Sequence, residues 1–566
     1  YAGFEAGNAS DTDTYCNVAI GYAAGKSLNA GDHNVFLGTY AGCAVTQGIH
    51  NVVLGYGGKC ITTGCYNIAF GMAALLGNSA VTGNYNIAFG KDAACCMSTG
   101  ANNIAIGLRA LTANDTGAYN IGVGADAGRK YSADNGCNIS IGKEAGCGGA
   151  GTVDGVNNIF LGSAAGKSIE EGDNNIFLGP NVGTANTTGS SNIMMGLDAG
   201  KCALSGNCNI FLGMEAGMGA SSNGVTGHNN YGIGCKSLTG LTSGCFNLAM
   251  GPASGEKLTT GKYNILFGRN AGCALTTQLS NIAIGNDSLG QNGGTHNIVL
   301  GTYAGRGTGT AGDNDASYNV IAGYYAGTGL TDGDNNVLLG PSAGRSITTG
   351  SNAIAIGENA LCSEDTRSGA VAIGYYALKS QNADWGNNIA IGYCAGASQV
   401  NTTESVFIGY EAGKDATGSS NTIIGAKAFE ASTAGENNVV IGKDAAKNNT
   451  GSGNAIVGTL AGDAAGDGSY NTFLGTSAGG AVTDGDNNTF IGRNAGDAVT
   501  TGCCNVAIGH GADVPSATGN NQLAIGIDSD NWITGDSSYN LTLAKGSVLV
   551  TQAAAGVGAT IGPGDA

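Results

Sequence analysis

A glycine that closes a short apolar run returns along almost the whole chain: Gly21, Gly38, Gly55, Gly71, Gly90, Gly107, Gly124, Gly142 and onward to Gly526. There are 30 of these glycines, most of them 17 residues apart, with exceptions running from 16 to 22. A fixed short period sustained over so many copies restricts the fold to a solenoid, because one copy alone cannot bury its apolar side chains and must stack on its neighbours. Composition agrees. The 103 glycines lack a collagen triplet, and a hydrophobic content of 42% is too high for a disordered chain. Length alone, at 566 residues, would instead suggest three or four domains.

Each position has its own chemistry when numbered from the anchor glycine. Position −4 is asparagine in 26 of the 30 coils, as at Asn17, Asn34, Asn51, Asn67, Asn86 and Asn103. Positions −3 and −1 are aliphatic nearly everywhere, as in Val18 and Ile20 or Ile104 and Ile106. Position +3 is small and is often followed by glycine, as in Ala24-Gly25 and Ala199-Gly200. A polar turn comes next, such as Thr348-Thr349-Gly350 or Asp332-Gly333-Asp334. The pattern predicts a short strand ending at a glycine corner. Coils stacked in parallel about 4.8 Å apart would place the asparagines one above another, their amides bonded along the axis. Positions −3 and −1 are expected to face the coil interior.

Position −2 is then expected to face outward. It is nevertheless apolar, at Phe36, Phe160, Phe177, Phe211, Phe407, Phe473 and Phe490 among others, with Ser140 the clear polar exception. A strand apolar on both faces is buried on both. An exposed stripe of that length exceeds what a lone soluble chain tolerates. These phenylalanines are therefore read as an oligomer interface, with three chains around one axis the expected assembly and a dimer, a bundle or a wider single-chain coil the alternatives.

The unit Asn17-Val18-Ala19-Ile20-Gly21-Tyr22-Ala23-Ala24, repeated as Asn281-Ile282-Ala283-Ile284-Gly285, resembles the head repeat of trimeric autotransporter adhesins. Ile-Gly-x-x-Ala-Gly repeats are also similar to those of phage and marine-virus tail-fibre proteins, and Trp532-Ile533-Thr534-Gly535 resembles sequence near the ends of such repeats. The resemblance covers residues 3 to about 540. It implies a homotrimeric parallel β-roll that binds a cell-surface glycan or protein receptor. The period departs from that pattern, since 17 residues exceed the 14 typical of the adhesin head and imply a longer outer turn.

The longest gaps follow Gly71, Gly142, Gly213 and Gly301, the first three 71 residues apart, which suggests duplication of a four-coil unit. The inserted segments, such as Gly148 to Gly155, Met218 to Gly227 and Arg306 to Ser317, are places where recognition could reside. The alternative is neutral insertion at a tolerant turn. Seventeen cysteines fall mainly five residues after an anchor or five to six before one. Cys60 with Cys65, and Cys202 with Cys208, are candidate disulfides across a turn; Cys43 and Cys60 could instead bridge vertically, and reduced, buried thiols are the alternative. His33, His50 and His296 share one position and are read as solvated turn residues, with no metal expected there. The Asp-Gly-Asp turns could hold calcium with several oxygen ligands but lack the nonapeptide calcium-roll spacing, so no cofactor is expected.

A net charge of −18 without a lysine or arginine cluster excludes a nucleic-acid groove, and no apolar run is long enough to span a membrane. No Ser/His/Asp set, phosphate loop or recurring acidic pair points to catalysis. Starting at Tyr1 without a signal sequence is expected of a processed chain or part of a longer one. The sequence therefore predicts an all-β parallel β-solenoid (a β-roll) of about thirty coils over residues 1–526, followed by a transition or capping segment over 527–566. The expected role is an extracellular structural or adhesive fibre shaft on a virion or cell surface. The alternative is a subunit of a self-assembling filament with no receptor.

Overall fold

The computed structural model describes residues 1–543 except 10–13, 133–135, 221–223, 309–313, 364–365, 367, 382–386, 399, 401 and 465. The fold is an all-β parallel β-solenoid of about 29 turns with a period near 17 residues, and no helix occurs among the described residues. It falls into two compact units, Tyr1–Ala370 and Val371–Ala566.

In the first unit, twenty strands of three residues each run from Val18–Ile20 to Ile354–Ile356. Neighbours pair in parallel with like positions opposite: Ile176 faces Ile193, Phe177 faces Met194 and Leu178 faces Met195. The anchor glycine closes each strand. Gly107 has φ near +131°, and a Cβ there would lie 2.5 Å from the Gly124 carbonyl oxygen in the next coil, so geometry and coil spacing both demand glycine.

The second unit repeats this plan from Val371–Ile373 through Val506–Ile508 to Leu523–Ile527. There the direction changes. Asp530–Gly535 pairs antiparallel with Leu523–Ile527, and Leu541–Leu543 pairs antiparallel with Asp530–Gly535. Leu523–Ile527 and the two strands after it thus form an antiparallel meander, and residues 544–566 lie outside the described residues.

The strand phase is the reverse of the expected one. In the strands from Val18–Ile20 to Val506–Ile508 the middle residue is buried and neither flanking residue is. Phe36, Phe160, Phe177, Phe211, Phe407, Phe473 and Phe490 are therefore core residues, at most 1% exposed within a single chain, and not an oligomer interface. Side chains alternate along a strand, so position −2 shares its face with the asparagine at −4, and both point into the coil. Positions −3 and −1 point out, as Val18 (44% exposed) and Ile20 (50%) illustrate.

The lumen is narrow, and its volume is shared between positions. Phe36 is followed at +4 by Gly42, where an added Cβ would come within 2.6 Å of the ring. Phe177 stands in the same relation to Gly183. In other coils a buried leucine stands at +4, Leu75 or Leu111, and there position −2 is only alanine, Ala69 or Ala105. Alanines at +3, such as Ala24 and Ala199, are fully buried where two walls meet. The lumen is thus filled from different positions in different coils.

Candidate interaction surface

The asparagine column runs through the interior. Asn34 donates its backbone N–H (2.8 Å) and its Nδ2 (3.1 Å) to Asn17 Oδ1, and Nδ2 also donates to the Gly48 carbonyl at 2.9 Å. Asn51 repeats the pattern on Asn34 and on Gly64. Asn67, Asn86 and Asn103 continue the axial bonds, with Gly83, Gly100 and Gly117 accepting from their amides. Each side chain joins the start of its strand to the turn of the next coil. These asparagines are fully or almost fully buried from Asn34 onward, so their amide groups are satisfied without water.

A second column lies two residues earlier and was not anticipated. At position −6 the side chain accepts the backbone N–H of the same position one coil before. The chain runs Val156 to Asp173 Oδ1 (2.7 Å), Asp173 to Ser190 Oγ (3.0 Å) and Ser190 to Asn207 Oδ1 (2.7 Å). It continues through Asn207 to His228 Nδ1 (3.0 Å) and His228 to Cys245 Sγ (3.4 Å). Asp334 and Asp486, the closing residues of Asp-Gly-Asp turns, accept from Ser317 and Ser469 in this way. The readable signal was the run of Asp, Ser, Asn and Cys at one register, the residue types whose short side chains bond nearby backbone.

All seventeen cysteines are free thiols, and neither Cys60–Cys65 nor Cys202–Cys208 is joined. Cys65 Sγ accepts the Ile49 N–H at 3.4 Å and donates to Thr63 O, which places it in the position −6 column. The backbone amides of Cys60 and Cys202 bond Leu76 O and Met218 O of the following coil, and that of the exposed Cys208 bonds Ser190 O of the preceding one. Each member thus engages a neighbouring coil. Burial pushes the thiols of Cys43, Cys147 and Cys273 upward, so they are held as neutral SH groups.

Position −5, beside the ladder, takes a left-handed backbone in nearly every coil, with φ of 58° at His33, His50 and Tyr66 and 60° at Tyr85. Their rings stack outside the coil at centroid separations of 4.8, 4.8 and 4.9 Å. His296 stacks on Tyr318 at 4.9 Å in the same way. These histidines therefore belong to an aromatic column; stacking is worth about 0.5–1.5 kcal/mol per pair and offsets part of the cost of the left-handed backbone.

The insertions are built alike. Gly77, Gly148 and Gly219 turn the chain outward with φ of 78°, 82° and 81°. It returns at Val81, Val153 and Val225, each fully buried and bridged in parallel to Ile61, Tyr131 and Ala203. Residues 221–223 and 309–313 of the inserted segments lie outside the described residues. A hollow of about 340 Å³ beside Gly148 is lined by Asp126, Arg129, Glu144 and Lys167. Its charges pair with each other: Lys167 with Glu144 at 2.7 Å and Arg129 with Asp126 at 3.7 Å. The ion pairs Lys26–Glu5 and Lys236–Glu215 lie in the same +2 and +5 rows.

Opposite in character is the strand face itself. In the first unit none of the position −3 and −1 residues is charged, and none is buried. Its most apolar stretch joins Tyr66, Ile68, Phe70 and Met72, 41% to 53% exposed, to Tyr85 and Phe89 in the next coil. Phe70 stacks on Phe89 at 4.7 Å. No protein-family model matches the chain, and no curated protein matches it. Among the described residues no helix is long and apolar enough to cross a membrane.

Proposed function

We propose that this chain is the shaft of an extracellular structural or adhesive fibre, of the kind that holds a binding tip away from a virion or cell surface. The observation that carries the reading is the pair of axial polar ladders. Interior asparagines and turn residues at position −6 direct their hydrogen bonds along the stack, so the recurring polar groups of a coil serve to hold the next coil. Such a plan suits a mechanical element. The resemblance to adhesin heads and tail-fibre repeats supports the same role, with a homotrimer as the assembly and a glycan or protein as receptor.

The second reading, a self-assembling filament, requires coil-on-coil addition between chains. The antiparallel strand Asp530–Gly535 occupies the edge of Leu523–Ile527 that a further parallel coil would take, which favours the shaft over the filament. Electron microscopy of the purified chain, with binding to glycan arrays and host cells, tests the reading. Particles of one fixed length that bind through an end or through the inserted segments are expected. Open-ended polymers would favour the filament, and globular particles would overturn both.

A further inference from the structure

We propose that the outward face made by positions −3 and −1 in the first unit is a seam against which a second copy of this chain packs. The inference rests on the fibre reading only in taking the chain to be oligomeric; it replaces the phenylalanine row with a different surface.

The first support is area. Twenty strands about 4.8 Å apart, each presenting two aliphatic or aromatic side chains, form a strip about 90 Å long and about 10 Å wide. That is on the order of 900 Å² on one chain, above the roughly 800 Å² per partner that a stable interface buries and beyond the few hundred Å² of apolar patch a monomer usually exposes. The second is charge. A chain of net charge −18 repels its copies, yet this strip carries no charged side chain, whereas ion pairs such as Lys26–Glu5 and Lys236–Glu215 lie in the +2 and +5 rows. Two copies can therefore meet here without desolvating a charge. The third is shape. The same two positions recur in every coil, so the strip is self-similar along its length, and a second copy offers a matching strip. Bulk at Phe70, Phe89, Tyr231 and Phe267 interrupts the uniformity and supplies register.

The test uses the full chain carrying Ile68→Lys, Ile87→Glu, Ile104→Lys and Ile121→Glu. Alternating the signs lets adjacent coils pair their new charges, as Lys26 and Glu5 already do, and spares the monomer a like-charge column. Light scattering is expected to give two or more chains per particle for the unaltered protein and one for the variant. Circular dichroism should be unchanged, because the replaced residues lie outside the core. If the variant does not fold, Ile104→Lys with Ile121→Glu alone repeats the measurement with less disturbance. A folded variant that keeps its mass would overturn the seam while leaving the fibre reading intact. An unaltered chain that is single in solution would overturn seam and trimer together, and if it adsorbed to apolar beads through this face, the face would belong to a foreign partner.

Discussion

The hydroxyl groups of Tyr131 and Ser140 lie 2.5 Å apart inside the coil, and neither residue has exposed surface. Tyr131 occupies position +7 of a coil whose position −2 is only Gly122; the Leu111 side chain fills the space beside that glycine, and the Tyr131 ring lies against Gly128. Ser140, the polar exception at position −2, supplies the partner that a buried phenol requires. Burial pushes the Tyr131 phenol well above its ordinary range, so it remains neutral throughout the accessible pH range. Ser140→Ala should cost about 1–3 kcal/mol by leaving the phenol unsatisfied, and adding Tyr131→Phe should recover much of it. Urea unfolding of the two single variants and the double variant measures the coupling; additive effects would show that the pair is not bonded.

Inside and outside can be told apart by truncating neighbours. Phe160 is fully buried and Leu161 is 46% exposed. Phe160→Ala is expected to cost about 3–5 kcal/mol, and Leu161→Ala less than about 1 kcal/mol in dilute solution. Equal losses in denaturant melts would contradict the strand phase.

Glycine tolerance should follow position. Gly107→Ala forces a β-carbon against the Gly124 carbonyl at φ near +131° and should separate the coils locally, exposing nearby amides to hydrogen exchange. Gly151→Ala, in an insertion where the nearest atom would be 3.5 Å away, should leave exchange and melting temperature unchanged.

Seventeen thiols should titrate with a thiol reagent in denaturant without prior reduction. In the native state Cys16, Cys137, Cys208 and Cys504, which are exposed, should react first, and buried Cys147 and Cys394 last. A melting temperature that drops on adding reductant would reveal a disulfide.

Acid should loosen the charged rows slightly. The hydrogen bond from Lys167, 2.7 Å away, holds the Glu144 carboxyl below its ordinary value. A depressed carboxyl contributes stability above the unfolded value, roughly pH 4, and loses it as pH falls through the folded one. Lys167 is raised by the same bond, so its share is lost only as pH rises through a value above that of an ordinary lysine. Glu144→Gln should flatten the acid limb of melting temperature against pH. The difference should shrink in high salt, because the pair is surface-exposed.

Period, corner glycines and the asparagine column were legible because each depends on one residue type at one register. Strand phase was not legible from alternation, since Ile159-Phe160-Leu161 is apolar throughout and either choice of face satisfies the pattern. The deciding signal lay in covariation within a coil: phenylalanine at −2 goes with glycine at +4, as in Phe36 and Gly42, and leucine at +4 occurs only where −2 is alanine or glycine, as in Leu111 with Ala105 and Leu238 with Gly232. Parity gave a second clue, because the ladder asparagine and position −2 must share a face. The position −6 column was hidden by its mixed chemistry. Asp173, Ser190, Asn207, His228 and Cys245 have in common only a short-range acceptor atom.

The buried valines that end the insertions, Val81, Val153 and Val225, act as splice points. Between Gly148 and Val153 the polypeptide leaves the stack and re-enters it in phase, so the number of residues spent outside is decoupled from everything above and below. Evolution, or an engineer, can lengthen or exchange those excursions one at a time, and these three then serve as addressable marks four coils apart.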